Sequence, residues 1–568
     1  MDMVDDLREA AVEIAEKIIR KNACTADEIN SIKKEICQKH HIKRYLTNIE
    51  LLSLIPEDKR ELLRDVLMKK PIRTLSGVSV VSIMTKPAPC PHGRCSYCPG
   101  GPNSFFGDVP QSYTGREPAA MRAINCNFDP YLQVMNRLEQ YCAAGHSPEK
   151  IELIIMGGTF PALAEEYQQD FVTYAFKAMN DFSKNFYEGK EFSSTKFNSF
   201  FEMPSQIKDK DRTARVQKHL LDLKGGSSLE VEQDYNEHFS RIKCVAMCIE
   251  TRPDYCREKQ INEMLRLGTT RVELGVESIY EDVLKRIKRG HSVSDVIAAT
   301  KLMKDAFLKV GYHIMPGLPG SSKESDIVMF REIFENPDFR PDNLKIYPCM
   351  VLRGTELYDE WKAGIFTPLN ADAAAEIIAE GKRFVPEWCR IMRVQRDIPT
   401  KFTEAGVEMT NLRQLVALKL KEKRFSCKCI RCREARAVSS EGFIVKVLEY
   451  EASGGTEVFI QAEDKSNSAL LGFARLRIPG TAWRSEILPE SAGIRELHVY
   501  GRSLPLGKRR EGAVQHLGIG KALMAEAEHI AKNKFGIKHI YVISGIGVRE
   551  YYRKLGYLRA GAYMKKDL

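Results

Sequence analysis

Seven short β-rich runs between residues 75 and 400 constrain the fold most strongly. They are VSVVSIMT, IELIIMGGT, CVAMCIET, RVELGVES, VGYHIMPG, LKIYPCM and CRIMRVQRDIP. Helical stretches separate them, and a polar insert at about 183–240 predicts a mobile excursion. Near-continuous apolar strands that alternate with helices indicate a parallel sheet covered on both faces. The sequence therefore predicts an α/β fold whose 75–400 segment is a full or partial β/α barrel.

Two further segments flank this predicted barrel. Residues 1–74 carry apolar positions at helical spacing, as in LREAAVEIAEKII, and predict a helical N-terminal region. Residues 441–568 contain the runs FIVKVLEYEA, EVFIQAED and ALLGFARLRI, then a glycine-rich turn, a helix and a final strand HIYVISGIG. That order predicts an α+β module, which a linker at 401–440 with a basic helix joins to the barrel.

The expected compartment follows from the absence of targeting signals. The start of the chain does not resemble a signal peptide, and no apolar run is long enough to span a bilayer. We therefore expect a cytoplasmic protein with no membrane partner. Its fifteen cysteines then favour metal ligation and buried thiols over disulfides, because a reducing compartment opposes disulfide formation.

The formal net charge of +10 is partly concentrated in KKEICQKHHIKR, at 33–44. Such a run is either a solvated helix face or a surface that follows nucleic-acid phosphates. Under the second interpretation, the side chains that would contact nucleic-acid phosphates are Lys33, Lys34, Gln38, Lys43 and Arg44.

The stretch CPHGRCSYCPGG, which we name the three-cysteine loop (residues 90–101), holds Cys90, Cys95 and Cys98. Three thiols leave a tetrahedral zinc site one ligand short. The C-x4-C-x2-C spacing also fits a [2Fe–2S] cluster with Cys126 as the fourth ligand. A third interpretation is a [4Fe–4S] cluster with one open iron. The loop follows the first strand of the predicted barrel, where barrel enzymes place their active-site loops.

A second group of thiols lies in the linker. CKCIRC contains Cys427, Cys429 and Cys432, which we name the thiol cluster. Three thiols this close indicate a structural zinc site. Cys389 begins the last predicted barrel strand, and the helix at 411–424 returns the chain to that end of the barrel. Cys389 is therefore the expected fourth ligand.

The three-cysteine loop resembles that of the radical S-adenosylmethionine superfamily, although the common family spacing is C-x3-C-x2-C. The resemblance implies a [4Fe–4S] cluster whose open iron binds S-adenosylmethionine. MGGT (Met156 to Thr159) stands where the family has a glycine-rich motif beside the cofactor's amino group. The implied cofactor contacts are Gly157, Gly158, Thr159, Glu277 and His313.

The C-terminal module resembles the Gcn5-related N-acetyltransferase fold. QHLGIGKALM at 515–524 matches its Gln/Arg-x-x-Gly-x-Gly/Ala pattern, in which glycines expose amide groups at a helix N-terminus to a pyrophosphate. The motif follows IRELHVYG and precedes VISGIGVREYYRKLGY, as in that fold. The resemblance implies acetyl-coenzyme A as a substrate and Tyr552 as the acid that protonates the departing thiolate.

A radical module and an acetyl-coenzyme A module on one chain resemble the catalytic subunit family of the Elongator complex. The resemblance covers nearly the whole chain and includes QSYTGREPAAMRA, IKRGH, MPGLPG and RVQRDIP. It implies carboxymethylation of C5 of the wobble uridine, U34, in a tRNA anticodon loop, with Cys90, Cys95, Cys98, Lys150 and Tyr552 as catalytic residues. The implied acetyl-coenzyme A contacts are Lys150, Glu496, Leu497, His498, Val499, Gln515, Gly518, Ile519, Gly520, Lys521, Tyr551 and Tyr552.

Two other functions compete with this prediction. One is a protein lysine acetyltransferase with a purely structural cysteine loop, for which the sequence offers no peptide groove with a carboxylate base. The other is a non-catalytic tRNA-binding scaffold, against which the intact cysteines and QHLGIG argue. The sequence leaves open whether the chain forms a homodimer or binds Elongator-like accessory subunits.

Overall fold

The computed structural model describes residues 3–68, 77–203, 209–435, 442–500 and 518–568. The chain divides into two compact units. The first comprises Met1–Val81, Tyr131–Ile151 and Thr173–Lys243, and the second comprises Ser82–Pro130, Glu152–Val172 and Cys244–Leu568. No helix among the described residues is long and apolar enough to cross a membrane.

The bounds of the helices and strands are as follows. The helices are α1 Met3–Lys21, α2 Ala26–Lys39, α3 Asn48–Leu54, α4 Glu57–Leu67, α5 Pro118–Asn125, α6 Pro130–Ala143, α7 Glu165–Phe186, α8 Ser194–Phe200, α9 Lys210–Lys224, α10 Leu229–His238, α11 Glu258–Leu267, α12 Glu281–Arg286, α13 Val293–Asp305, α14 Lys323–Glu335, α15 Glu356–Lys362, α16 Ala371–Gly381, α17 Leu412–Glu422, α18 Ile430–Arg433, α19 Ile519–Phe535 and α20 Arg549–Arg553. The strands are β1 Ser79–Met84, β2 Gly101–Ser104, β3 Gly107–Val109, β4 Lys150–Met156, β5 Tyr187–Glu188, β6 Glu191–Phe192, β7 Lys243–Thr251, β8 Arg271–Glu277, β9 Lys309–Ile314, β10 Asn343–Ile346, β11 Arg390–Arg393, β12 Phe443–Ala452, β13 Gly455–Asp464, β14 Leu470–Ile478, β15 Ser491–Val499, β16 His539–Ile543, β17 Leu558–Ala560 and β18 Tyr563–Asp567.

The first unit begins with the helical region that the sequence predicts. α2 and α3 each start with a capping box, in which Thr25 pairs with Glu28 and Thr47 with Glu50. These boxes satisfy backbone N–H groups that a helix N-terminus leaves without partners. α1 to α4 bury a shared apolar core that includes Ile14. The prediction of a helical N-terminus is confirmed.

The polar insert at 183–240 differs from its prediction. Its described residues contain α8, α9 and α10 instead of a mobile excursion. The physical reason is a group of aromatic rings: Phe197 lies 4.9 Å from Phe201 and 6.2 Å from Phe182, measured between ring centroids. Buried rings of this kind stabilise a folded segment although the surrounding sequence is polar.

The predicted barrel is a seven-stranded sheet with the order β1-β4-β7-β8-β9-β10-β11. Each strand corresponds to one of the seven β-rich runs, and β7 to β11 pair with one another in parallel. β1 and β11 lie at opposite edges of the sheet, so the barrel is partial. The α/β fold class with a partial barrel is confirmed. The sequence prediction missed the hairpins β2–β3 and β5–β6, whose strands are very short.

The C-terminal module is a second seven-stranded sheet, ordered β12-β13-β14-β15-β16-β18-β17, with α19 packed against β13, β14 and β15. This arrangement confirms the predicted α+β module. HIYVISGIG is not its final strand, because β17 and β18 follow β16. Glycines at 556 and 561, both with positive φ, turn the chain around these two strands.

β15 has two different neighbours along its length. Ser491–Ile494 pair in parallel with β16, whereas Gly493–Val499 pair with β14 in the antiparallel direction. The register against β14 shifts at Arg495, which forms a β-bulge. Because a bulge bends its strand, β15 separates from β16 beyond Ile494. Among the residues that the structure describes, no strand pairs with the backbone of 495–499 on the β16 side, and we name this stretch the free edge of β15.

The bulged Arg495 is fully buried against the start of the barrel strand β10. Its guanidinium donates to both carboxylate oxygens of Asp342 at 2.6 and 2.7 Å, and to Glu457 at 2.8 Å. Asp342 also accepts the backbone N–H of Val310 at 2.8 Å. Burial alone would raise the pKa of Asp342, but the Arg495 and Arg475 guanidiniums outweigh burial and hold that pKa well below its usual range.

We expect Asp342→Ala to destabilise this unit strongly. It would leave the Arg495 guanidinium buried beside an unfilled space, and breaking a buried ion pair costs about 3–5 kcal/mol. The free energy of unfolding can be measured by urea denaturation with the fluorescence of Trp388, whose ring stacks on Tyr450 at 3.9 Å.

Lys538→Ala is the matched control, because its ion pair with Glu490 is exposed on both sides. Such surface pairs contribute at most about 1 kcal/mol. If Asp342→Ala and Lys538→Ala lower the free energy of unfolding equally, the buried network does not hold the two sheets together.

Candidate active site

The three-cysteine loop follows β1 at the carboxyl end of the barrel sheet. Backbone bonds shape it, since the N–H of Gly93 donates to Cys90 and that of Cys98 donates to Cys95, both at 3.0 Å. The N–H of Ser96 donates to the carbonyl of Ile287 at 3.0 Å, which ties the loop to the turn after α12. Backbone hydrogen bonds thus hold the loop against the turn after α12.

Each thiol of the loop has its own polar neighbour. Cys90 Sγ lies 3.8 Å from Thr159 Oγ1, and Cys98 Sγ lies 3.1 Å from Gln111 Oε1. Cys95 Sγ lies 3.2 Å from His92 Nε2 and 3.7 Å from Arg289 Nη1. Thr159, His92 and Arg289 can donate to sulfur, as donors that stabilise metal-ligating thiolates do. Gln111 Oε1 instead accepts the thiol hydrogen of Cys98.

The spacing of these three sulfurs distinguishes a cluster from a single ion. A tetrahedral zinc holds its thiolates about 3.8 Å apart, given a Zn–S bond of about 2.3 Å. Among the described residues, Cys90, Cys95 and Cys98 do not form a set of ligand atoms within 4.8 Å of one another. The three sulfurs are therefore not arranged as the ligands of one tetrahedral ion.

The MGGT turn after β4 lies against this loop. Gly157 and Gly158 have φ angles of 120° and 94°. A Cβ on Gly157 would lie 2.4 Å from Thr85 Oγ1, and one on Gly158 would lie 3.2 Å from Gln111 Cβ. Only glycine permits this backbone path, so the structure explains the two glycines by their close approach to Thr85 and Gln111.

Arg289, from the block IKRGH, holds the other side of the loop. Its Nη2 donates to the carbonyl of Gly275 at 2.6 Å and lies 3.5 Å from Glu277 Oε1. A Cβ on Gly275 would lie 2.5 Å from Arg289 Nη2, and one on Gly290 would lie 2.6 Å from His92 Cβ. Glycines at 275 and 290 therefore let Arg289 and His92 reach Cys95.

Glu277 lies at the end of β8 with a φ of 66°, which is uncommon for a residue with a long side chain. Backbone strain of this kind is often found at functional sites. The structure thus brings Glu277, Gly157, Gly158 and Thr159 to the same end of the barrel sheet as the loop. Sequence reasoning missed Arg289, His92 and Gln111, although the blocks IKRGH and QSYTGREPAAMRA contain two of them.

His313 has interior partners instead of an open position. Its Nε2 lies 3.1 Å from Glu273 Oε2. Lys345 Nζ donates to Glu250 at 2.6 Å and also forms an ion pair with Glu273. Tyr113 donates its hydroxyl hydrogen to Glu250 at 3.1 Å. His313 is therefore part of a buried ion cluster in the barrel.

The acetyl-coenzyme A prediction concerns residues around the free edge of β15. α19 begins after Gly518, whose φ is 70°. A Cβ on Gly520 would lie 3.0 Å from the Tyr551 hydroxyl and 3.7 Å from Val499 Cγ2. The structure thus brings Glu496–Val499, Gly518–Lys521 and Tyr551 together. A helix N-terminus beside an unpaired strand edge suits a ligand with a phosphate and an amide-bearing arm.

The two tyrosines differ in their surroundings. Tyr551 is partly exposed and lies at the α19 N-terminus, whereas Tyr552 is buried in the apolar core of the module. Burial raises the pKa of both hydroxyls. The geometry therefore favours Tyr551 over Tyr552 as the hydroxyl that meets a ligand.

The remaining predicted contacts have distinct environments. Glu496 binds Arg475 at 2.9 Å and Lys309 at 3.2 Å; burial would raise its pKa, but these cations lower it to about 2. Burial lowers the pKa of His498 to about 4. Lys150 starts β4 in the other compact unit, where burial lowers its pKa. Gln515 lies outside the described residues.

The thiol cluster is compact. The sulfurs of Cys427, Cys429 and Cys432 lie within 4.8 Å of one another, as a single tetrahedral ion requires. Hydrogen bonds from the other two thiols hold the pKa of Cys429 well below its usual range. The backbone N–H of Ile430 donates to Cys389 O at 3.0 Å. Cys389 therefore borders the cluster through its backbone, while its thiol is not part of the three-sulfur set.

The basic run of the first unit is only partly a cationic surface. Lys33 is buried, and its ammonium donates to Asn48 Oδ1, so it is not available to a phosphate. Position 38 is glutamine, and the neighbouring Lys39 pairs with Glu13 at 2.7 Å. Arg44 pairs with Glu50.

Lys34 and Lys43 are exposed cations of this run. Lys34 lines a surface concavity of about 540 Å³ together with Tyr45, whose side chain is 54% exposed. An aromatic ring beside a lysine suits an unpaired nucleotide.

Family models match this chain in four segments. The Radical SAM superfamily matches residues 87–332, and the Radical_SAM C-terminal domain matches residues 341–422. The Acetyltransferase (GNAT) family matches residues 431–557, and the ELP3 N-terminal domain matches residues 7–75. The segments agree with the predicted order of a helical region, a radical barrel and an acetyltransferase module.

Curated relatives match nearly the whole chain. "tRNA uridine(34) acetyltransferase" of Methanocaldococcus infernus is 49% identical over 98% of this chain and 98% of its own length. "Elongator complex protein 3" of Saccharomyces cerevisiae is 40% identical over 95% of this chain and 92% of its own length. The solved structure of "the archaeal Methanocaldococcus infernus Elp3 with N-terminus deletion (1-46)" is 45% identical, with a TM-score of 0.70 over 87% of this chain and 100% of that one.

Proposed function

This chain belongs to the family of the tRNA uridine(34) acetyltransferases and Elongator complex protein 3, and on that premise we propose that it carboxymethylates C5 of the wobble uridine in tRNA. The observation that carries the proposal is one compact unit that contains both a three-thiol site beside the MGGT turn and an acetyltransferase sheet with a free strand edge. The tRNA and acetyl-coenzyme A are its substrates, and the cytoplasm is its expected location.

The chemistry explains why both sites are needed. The [4Fe–4S] cluster and S-adenosylmethionine, when bound, supply a carbon-centred radical that takes a hydrogen atom from the acetyl methyl group of acetyl-coenzyme A. The methyl carbon would then bond to C5 of uridine, and the C5 hydrogen would leave as a proton. The remaining electron would return to the cluster, which gave up one electron at the start, and water would cleave the thioester to release coenzyme A. Neither the methyl carbon nor C5 reacts in this way without radical activation.

The residues of the barrel hold and orient the first pair of cofactors. Cys90, Cys95 and Cys98 would ligate the cluster, because their sulfurs are not arranged around a single tetrahedral ion. Arg289 places a permanent cation beside the Cys95 thiolate, because its pKa is far above neutrality. The MGGT turn and Glu277 lie where the cofactor's polar groups would meet backbone amides and a carboxylate.

The residues of the second sheet would bind acetyl-coenzyme A. The free edge of Glu496–Val499 offers backbone hydrogen bonds to the pantetheine arm, as an added strand would receive them. Gly518–Lys521 offers amides to the pyrophosphate, Lys521 adds an exposed cation, and Tyr551 lies at the same place. Lys150 and Gln515 are further contacts under this proposal.

We retain the division into 1–74, 75–400, 401–440 and 441–568 as part of the proposal. The first segment would hold tRNA phosphates with Lys34 and Lys43, and the third would hold a structural zinc. A second copy or accessory subunits would complete the tRNA surface if the isolated chain binds tRNA weakly.

The decisive experiment uses the reconstituted, reduced protein with tRNA that carries an unmodified U34, acetyl-coenzyme A and S-adenosylmethionine. We expect 5′-deoxyadenosine and 5-carboxymethyluridine, both detected by mass spectrometry, and the loss of both in Cys95→Ala. Acetylated peptide without either product would establish a protein acetyltransferase instead. Binding of tRNA without either product would establish a scaffold.

A comparison of Tyr551→Phe with Tyr552→Phe tests which tyrosine acts on the coenzyme. We expect Tyr551→Phe to slow the release of coenzyme A by about 10²- to 10⁴-fold, because it removes an acid positioned near the nascent thiolate. Tyr552→Phe should retain most of the activity, since its ring packs in the core and remains. The thiol released from acetyl-coenzyme A measures the rate, and equal losses in the two variants would rule out this assignment.

Metal analysis tests the thiol cluster. We expect one zinc ion per chain in the purified protein and almost none in Cys429→Ser, with the iron content unchanged. Cys24→Ser is the matched control, because Cys24 is an exposed thiol outside both cysteine sites. Cys389→Ser then tests the fourth ligand, and full zinc content in that variant would exclude it.

A further inference from the structure

The hairpin β2–β3 follows the three-cysteine loop directly and ends in an exposed aromatic tip. Phe105, at that tip, is 60% exposed. The base of the hairpin is tied to the loop through Gln111, whose Nε2 would lie 2.7 Å from a Cβ on Gly101 and whose Oε1 lies 3.1 Å from Cys98 Sγ. Four strand residues separate this base from the tip, a span of about 13 Å.

Two more phenyl rings and two cations surround the tip. The ring of Phe106 lies 5.2 Å from that of Phe105 and 6.5 Å from that of Phe402. The guanidinium carbon of Arg116 lies 5.6 Å from the centroid of the Phe402 ring, and Lys401 Nζ lies 5.1 Å from it. We name these five residues the rim cluster.

The rim cluster lies at the end of the sheet where the chemistry would occur. The hairpin follows β1 and Phe402 follows β11, which are the two edge strands of the barrel sheet. Both segments leave the carboxyl ends of their strands, where a barrel places its active site. The contact between Phe106 and Phe402 therefore bridges the two edges of the partial barrel.

Packing fixes the exposed ring in place. Gly354 has a φ of 72°, and a Cβ there would lie 2.2 Å from Phe105 Cβ. The backbone around Phe105 is thus packed tightly although its ring faces solvent. Its ring adjoins that of Phe106, which adjoins Phe402, and contiguous apolar groups of this kind mark interaction surfaces.

The charges around the rim cluster favour an anionic partner. Asp108 accepts the backbone N–H of Asn103 at 2.8 Å within the hairpin, and Glu404 pairs with Arg353 at 2.6 Å. Arg116 and Lys401 are both exposed. Aromatic rings interleaved with cations are typical of surfaces that stack unpaired bases and bind the phosphates between them.

We propose that the rim cluster binds single-stranded RNA: Phe105 and Phe402 stack an unpaired base next to the target uridine, and Arg116 and Lys401 bind its flanking phosphates. The proposal deepens the proposed function and rests on it, because it assigns a subsite to the same RNA substrate. It explains why an aromatic hairpin begins immediately after the cysteines. The target uridine would occupy the space between this stacked base and the loop.

The test uses an RNA hairpin with a uridine in its loop and 2-aminopurine at the next position. We expect Phe105→Ala and Phe402→Ala to weaken binding by on the order of tenfold to a hundredfold, since each base stacked on an aromatic ring contributes about 1–3 kcal/mol. Both variants should also lose the quenching of 2-aminopurine fluorescence that stacking causes. Phe105→Trp should restore the quenching.

Salt titrations separate the cations from the rings. Arg116→Ala and Lys401→Ala should each lower the slope of log K against log salt by roughly 0.7, as expected for one phosphate contact on single-stranded RNA. The phenylalanine variants should leave that slope unchanged. Leu558→Ala and Lys538→Ala are matched controls, because these residues are exposed and lie in or beside the second sheet.

The outcomes distinguish this inference from the proposed function. If the wild-type protein neither binds the RNA nor modifies its uridine, the proposed function fails. If it does both, and Phe105→Ala and Phe402→Ala bind and quench like the wild type, only the rim-cluster proposal is wrong. Weak RNA binding by all variants together with Phe105-dependent binding of a protein would make the surface a protein-docking site and also overturn the proposal.

Discussion

The ion pair between Arg495 and Asp342 is the interaction on which the second compact unit depends. It joins a bulged residue of the acetyltransferase sheet to the first residues of a barrel strand, and both side chains are fully buried. A buried pair of this kind is tolerated only when further hydrogen bonds satisfy it. Glu457 and the backbone of Val310 supply those bonds. The pairing of β15 with β16 ends at Ile494, next to the bulge that aims Arg495 at the barrel. The contact between the two sheets and the free edge of β15 therefore meet at Arg495.

At the carboxyl end of the barrel, close backbone packing at glycines holds the three-cysteine loop, as the Arg495–Asp342 ion pair holds the two sheets. The three-cysteine loop is surrounded by glycines that admit a neighbouring side chain where a Cβ would collide with it. Gly275 admits Arg289, Gly290 admits His92, and Gly157 admits Thr85. Each glycine belongs to a different segment, yet all three act on one loop. Close packing at these glycines therefore helps to position the three thiols.

Periodicity and turn chemistry allowed much of the fold to be predicted. All seven barrel strands, the helical N-terminus and the order of the C-terminal module follow from local pattern, because parallel strands read as continuous apolar runs. The folded insert was missed because its stability comes from aromatic residues far apart in sequence, such as Phe182 and Phe201. The hairpin β2–β3 was missed because three or four residues carry no detectable alternation.

For the site, sequence predicted the ligating residue types but not their neighbours. The cysteines and glycines belong to short motifs, whereas Arg289 reaches Cys95 across 194 positions of the chain. Local spacing contains no information on such a contact.

For Lys33, the sequence predicted a contact that the structure does not allow. A run of charges predicts an exposed surface, but the position of Lys33 on its helix buries the side chain, which donates to Asn48. Tyr551 and Tyr552 are adjacent in sequence, so only the direction of α20 separates their roles.

The interior of the barrel sheet holds a cluster of buried ion pairs. Lys345 lies between Glu250 and Glu273 on neighbouring strands. Burial would lower the pKa of Lys345, but the two carboxylates hold it well above its usual range, so the ammonium stays charged. An ion cluster paired in this way is costly to separate, and it fills the sheet interior below the loop. The thiols and the rim cluster lie at the same end of this sheet, and a base must leave its stack to reach the thiols.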